Sequence, residues 1–218
     1  LRFYSTELQH RFTDSLEGRV HLSRNETFRN VNMVYPIGPV TGGQVARSYW
    51  LAPGQNYTSD TALAELRAQA RTGPVRHTLL AGLDWRAIEG VYGARGTGNL
   101  GAVDLYQPVT GLVPPAASGG SAAVASDTRN TGLFVQDRLA LGDFSLLLGL
   151  RHDRLKDAYT KPATDLSKTQ PSAALSWQPL PASMFYVSHA RSFQANSGTL
   201  LWGDRAAPPS EGKQFELG

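Results

Sequence analysis

The chain has 218 residues, 41% hydrophobic and 18% charged, with a formal net charge of +3 and no cysteine. Lack of cysteine excludes a disulfide scaffold, a thiolate metal site and a cysteine nucleophile, and a small surplus of dispersed Lys and Arg gives no footprint for nucleic acid. The longest apolar run, Leu146-Leu147-Leu148-Gly149-Leu150, is far short of the ~20 residues of a membrane-spanning helix, yet Tyr, Phe, Leu and Val are too frequent for a disordered chain.

The chain opens inside a predicted strand, Leu1-Arg2-Phe3-Tyr4, with neither an initiator methionine nor a leader pattern, which is expected of an excerpt or a processed piece. Leu1 to Phe12 meets the turn Thr13-Asp14-Ser15 and Leu16 to Phe28 returns. Residues 29–55, polar and rich in Gly and Pro, are expected to form a long loop. Asn56 to Arg71 leads to the turn Thr72-Gly73-Pro74, and Val75 to Glu89 returns with Leu79, Ala81, Leu83 and Trp85 at alternate positions.

A second long loop is expected over residues 90–126, where Gly and Pro recur at a density that strand interiors do not tolerate. Asp127 to Leu141 then turns at Gly142-Asp143 and returns as Phe144 to Lys156, with Phe144, Leu146, Leu148 and Leu150 on one face and Ser145, Leu147, Gly149, Arg151 and Asp153 on the other. Leu166 to Trp177 turns at Pro179-Leu180-Pro181-Ala182 into Ser183 to Phe193, and residues 194–210 form a loop before a last strand, Glu211 to Gly218.

Nine antiparallel strands of membrane-crossing length, joined alternately by short turns and long loops, match an outer-membrane β-barrel, whose short turns face the periplasm and long loops face outward. A soluble β-sandwich also alternates apolar and polar residues, but its connections are not expected to sort so cleanly by length. The fold class expected is therefore all-β, one segment of a transmembrane barrel spanning 1–218.

Several phrases resemble the barrel of TonB-dependent siderophore receptors. They are His77-Thr78-Leu79-Leu80-Ala81-Gly82-Leu83-Asp84 after Thr72-Gly73-Pro74, Gly132-Leu133-Phe134-Val135-Gln136-Asp137, and Gly149-Leu150-Arg151-His152-Asp153. Pro171 to Leu175, Phe185 to Phe193 and Pro209 to Gly218 resemble its next three strands in the family's order. The resemblance covers Leu63 to Gly218, while the first 60 residues carry no distinctive phrase. It implies a larger plugged barrel of about 22 strands, of which this chain is a part without the plug domain or the aromatic-ended final strand.

What the resemblance implies is uptake of a ferric siderophore across the Gram-negative outer membrane, energised by the TonB complex acting through the plug. Partners would be the ferric siderophore, TonB and outer-membrane lipid, with no nucleic acid. Iron would travel inside its chelator, so no cofactor and no protein metal site are expected. Rival readings are a passive porin or other barrel, and a soluble β-sandwich binding module.

Chelate recognition calls for Arg to meet charge and for Tyr or Trp to stack and hydrogen-bond. Tyr49, Trp50, Tyr92, Arg95, Tyr106, Trp202 and Arg205 are such residues at loop positions. Aromatic residues near strand ends also build the interfacial girdle, which suits Trp85 and Trp177 and competes with ligand contact for Tyr92 and Trp202. Asp84, Arg86, Arg151 and Asp153 are expected as lumen-facing structural charges. Ser188-His189 with Asp84 lacks a nucleophile elbow, so no catalysis is expected. His10 and His21 lack partners at ligand spacing, His77 and His152 suit wall positions better than metal binding, and Gly93, Gly96 and Gly98 lack the strand-to-helix context of a phosphate cradle.

Overall fold

The computed structural model describes residues 1–92, 96–109, 124–158, 163–197, 199–203 and 205–218. Every regular element among them is a strand: β1 (Arg2–Thr13), β2 (Leu16–Thr41), β3 (Gln44–Thr72), β4 (Val75–Tyr92), β5 (Gly96–Asp104), β6 (Val124–Leu141), β7 (Phe144–Asp157), β8 (Thr164–Leu180), β9 (Ser183–Gln194), β10 (Leu200–Leu201), β11 (Arg205–Ala206) and β12 (Ser210–Leu217). Hydrogen bonding runs in the order β1-β2-β3-β4-β6-β7-β8-β9-β12, and these nine are the nine strands expected. The pairings of β6 with β7, β7 with β8, β8 with β9 and β9 with β12 are antiparallel. The chain divides into two compact units, one of Leu1–Arg2, Asn25–Thr58 and Glu89–Ser126, the other of Phe3–Arg24, Ser59–Ile88 and Asp127–Gly218.

In the second unit, strand alternation separates two faces. Phe144, Leu148 and Leu150 of β7 are exposed beside Leu133 and Val135 of β6 and Leu175 and Trp177 of β8. Phe144, Trp177 and Phe185 sit opposite one another in register and stack, with centroids 6.1 and 5.7 Å apart. This row lies beside the short turns that follow β6 and β8, where a barrel carries an aromatic girdle, and Trp177 takes the girdle position expected of it. So large an exposed apolar face requires a cover, and no second sheet packs on it among the described residues.

The apolar face of β7 ends at Leu150. Beyond it His152 bonds Thr169 and Ser167, and Arg154 pairs with Asp165 at 3.1 Å. The hydrogen bond from Arg154 holds the Asp165 carboxyl below the usual carboxylate range. One ionisable pair interrupts the apolar face nearer the turns: His77 Nδ1 lies 2.8 Å from Asp137 Oδ2, tying β4 to β6. The other oxygen, Asp137 Oδ1, is buried without a partner.

The two expected loops are corrected in part. Residues 29–55 continue β2 and β3 as a long hairpin that turns at Gly42 and Gly43, whose φ values of 59° and 79° fit a two-residue hairpin turn. Pro36 and Pro39 fall within β2. Within residues 90–126, β5 pairs with Gln44 to Leu51 of β3, with a bulge opposite Arg47 and Ser48 where Gly101 has φ 75°. Gly96, Gly98 and Gly101, read as breakers, serve as strand and bulge positions, while residues 93–95 and 110–123 of that expected loop lie outside the described residues. The loop expected at 194–210 contains the β10–β11 hairpin.

Candidate functional site

On the polar face of the second unit three strands deliver polar groups to one point. Arg151 of β7 donates from Nη1 to Asp84 Oδ2 at 2.7 Å and from Nη2 to Asp84 Oδ1 at 3.0 Å, bridging to β4. Its Nε donates to Asp153 Oδ2 at 2.8 Å and its Nη2 to Asp153 Oδ1 at 2.6 Å. Gln170 of β8 donates to Asp153 Oδ2 at 2.8 Å, and Asp153 is only 5% exposed. Between β4 and β7 lies β6, and the guanidinium crosses it at Gly132, with Phe134 beneath at 6.0 Å. A Cβ at Gly132 would overlap Arg151 Nη2 and stand 2.7 Å from Asp84 Oδ2, so glycine is what lets the bridge pass.

Asp84, Arg151 and Asp153 are thus brought together on one face. Arg86, expected with them, is exposed and makes no ion pair among the described residues. Gln170 and the steric role of Gly132 are not visible in sequence, although Gly82-x-Asp84, Gly132-x-Phe134 and Gly149-x-Arg151 are the segments that converge. The same face carries Arg19, which pairs with Glu65 at 3.0 Å and Glu7 at 3.7 Å.

The first unit holds a different cluster. Gln55 is fully buried, the largest side chain in that state among the described residues, and its Oε1 accepts from Arg29 Nε at 2.7 Å. Arg29 lies over the Tyr57 ring at 5.2 Å and reaches its hydroxyl from Nη2 at 3.3 Å. The amide nitrogen of Gln55 is buried with no partner. Gly54 N donates to Asn30 Oδ1 at 2.7 Å and Val91 N to Asn56 Oδ1 at 3.1 Å, which ties the backbone around the cluster. None of Arg29, Gln55 and Tyr57 was singled out by sequence reasoning, because their significance arises from cross-strand placement.

The sequence-predicted ligand residues fall in several environments. Tyr49 and Trp50 lie in β3 rather than in a loop. Tyr49 is 3% exposed with its ring against Gly98, so its role is packing, contrary to the expectation of an offered ring. Tyr106, 85% exposed, follows β5, with its N–H bonded to Asp104 Oδ1 at 2.8 Å. Trp202, 97% exposed, and Arg205 share the β10–β11 hairpin. Tyr92 ends β4, while its side chain and all of Arg95 lie outside the described residues. No group of His, Asp and Glu suited to a metal ion occurs among the described residues.

Residues 2–218 match the family model described as TonB dependent receptor-like, beta-barrel, and the chain belongs to that family. It is similar to the ferrioxamine B receptor of Salmonella typhimurium, 27% identical over 97% of this chain and 30% of the relative. It is also similar to the ferrichrome outer membrane transporter/phage receptor of Escherichia coli K12, 25% identical over 96% of this chain and 32% of that protein. In fold it resembles the crystal structure of BauA, the ferric preacinetobactin receptor from Acinetobacter baumannii, with TM-score 0.79 and 18% identity over 98% of this chain and 34% of that one. The chain spans about a third of the length of these relatives. It is a segment of an outer-membrane β-barrel, in a family of receptors rather than enzymes.

Proposed function

We propose that the chain is part of the barrel of a receptor that takes up a ferric siderophore, energised through TonB. The observation that carries this reading is the match over residues 2–218 to the TonB-dependent receptor barrel, with relatives named for ferrioxamine B and ferrichrome. The two faces of the sheet support it. The exposed Leu, Val and Trp of β6, β7 and β8 suit contact with lipid, and the face of Asp84, Arg151 and Asp153 suits a polar lumen.

On this reading no bond of the substrate breaks and the metal stays with its chelator. Tyr106, Trp202 and Arg205 are exposed residues of the right chemistry for chelate contact, with Trp50, Tyr92 and Arg95 as further candidates. TonB would act through a plug domain. The test is a tryptophan-quenching screen of the full-length protein in detergent against hydroxamate, catecholate and carboxylate ferric chelates, with haem and cobalamin alongside. Saturable quenching by one class of siderophore is the expected result, and absence of binding by a folded barrel would overturn the reading.

A further inference from the structure

We propose that Arg71, Arg76 and Arg138 form a seat on the polar face, beside the short turns, for an acidic stretch of the same polypeptide that lies outside residues 1–218. The seat rests on the receptor reading above only for the direction of that face, which is toward the lumen.

Arg71 and Arg76 flank the Gly73-Pro74 turn between β3 and β4, and Arg138 stands near the turn that joins β6 to β7. Strand alternation puts Arg76 on the face of Asp84 and Arg138 on the face of Gly132. All three are exposed, and with Gln69, Thr78 and Ala140 they line a cavity of about 570 Å³. Arg138 is steadied there by donating from Nε to Ser145 Oγ at 3.0 Å, a neutral partner. No acid lines the cavity among the described residues.

Arg19 and Arg151 of the same face find their carboxylates within the wall, in Glu65 and in Asp84 and Asp153. A lone exposed cation such as Arg86 is served by water. Three cations around one cavity repel one another, where Ser, Thr or Gln would line a polar lumen without that cost. Another wall strand is not what compensates them. β3, β4 and β6 are interior to the order β2-β3-β4-β6-β7, so each already has a strand on both sides, and a carboxylate has to arrive from inside the barrel. This chain covers 30% and 32% of the relatives it matches, so a receptor of their length has ample further chain to reach the seat. Short turns face the periplasm, which places the seat at the periplasmic mouth. Guanidinium groups hold carboxylates through paired N–H donors, and several of them on one rim favour a run of Asp and Glu over a single charge.

The test uses the full-length receptor in detergent and a carbodiimide, which joins an ammonium to a carboxylate in direct contact and does not act on guanidinium. Arg71→Lys, Arg76→Lys and Arg138→Lys, made singly, keep the charge and supply the reactive amine. Mass mapping is expected to show, in at least one variant and not in wild type, a new amide to an Asp or Glu of the same chain outside residues 1–218, suppressed at high salt. Arg71→Glu with Arg76→Glu should then speed protease cleavage of that stretch about tenfold, as befits the loss of charge-assisted contact, with the barrel still folded by its heat-dependent gel mobility. No new link in any folded variant, links only within residues 1–218 or to a separate protein, or unchanged cleavage after charge reversal would overturn the seat. Those results with chelate binding intact leave uptake standing. A receptor that forms the link but binds no ferric chelate would overturn uptake and keep the seat.

Discussion

Arg151 engages two carboxylates at once, and its environment sets the consequence of removing it. Asp153 is 5% exposed and its oxygens are met by Arg151 and Gln170, so Arg151→Leu leaves a buried carboxylate half-compensated. Breaking a buried pair from one side costs about 3–5 kcal/mol, and Asp84 is partly exposed, so a loss near or below the lower end is expected, read as a lower unfolding temperature in detergent. Arg86→Ala should be within about 0.5 kcal/mol of wild type. Gly132→Val should behave like Arg151→Leu, since a side chain there occupies the space of the guanidinium. A second residue-scale expectation concerns His77 and Asp137. His77→Leu strands a carboxylate that already has one unpartnered oxygen, whereas His77→Leu with Asp137→Leu removes both polar groups from the apolar face. The double variant should be more stable than the single, and a double-mutant cycle by thermal unfolding measures the difference. A double variant less stable than the single would show that the pair does more than satisfy itself.

At the scale of the strand, alternation decides which substitutions the barrel accepts. Leu148 faces the apolar side and Leu147 the polar side of β7. Leu148→Arg is expected to cost about 2–4 kcal/mol toward the middle of a bilayer and to lower the yield of folded barrel in lipid vesicles, seen as a smaller shift between heated and unheated gel mobility. Leu147→Gln should fold with near wild-type yield, and equal yields for the two variants would contradict the assignment of faces. Strand alternation was also what sequence conveyed best: the nine-strand order, the short turns and the polar and apolar faces of β7 were all legible. The extents of β2, β3 and β5 were not. Gly and Pro at 36–43 and 96–101 mark a loop to any local rule, but cross-strand pairing with β3 absorbs the glycines as turn and bulge positions. Candidate sites divided in the same way. Asp84, Arg151 and Asp153 stood out because they sit in family phrases, whereas Gln55 and Arg29 are 26 positions apart in the sequence and their relation exists only in the paired strands. Tyr49 failed for the converse reason, since the type of a residue does not reveal that Gly98 gives its ring a place to pack.

For the molecule as a whole, the apolar face and the ionic bridge on the polar face of the second unit suit the task proposed above, a polar path through lipid. The chain supplies about a third of the related receptors' length, so that task belongs to the full-length protein. The most direct test is uptake of radioactive iron, presented as siderophore chelates, by iron-starved Gram-negative cells lacking their own receptors and expressing the full-length protein. Accumulation is predicted for at least one chelate, saturable, abolished when the proton gradient is collapsed and absent from a strain without TonB. Passage that persists in uncoupled cells lacking TonB, and rises linearly with chelate concentration, would instead mark a passive pore and contradict the account.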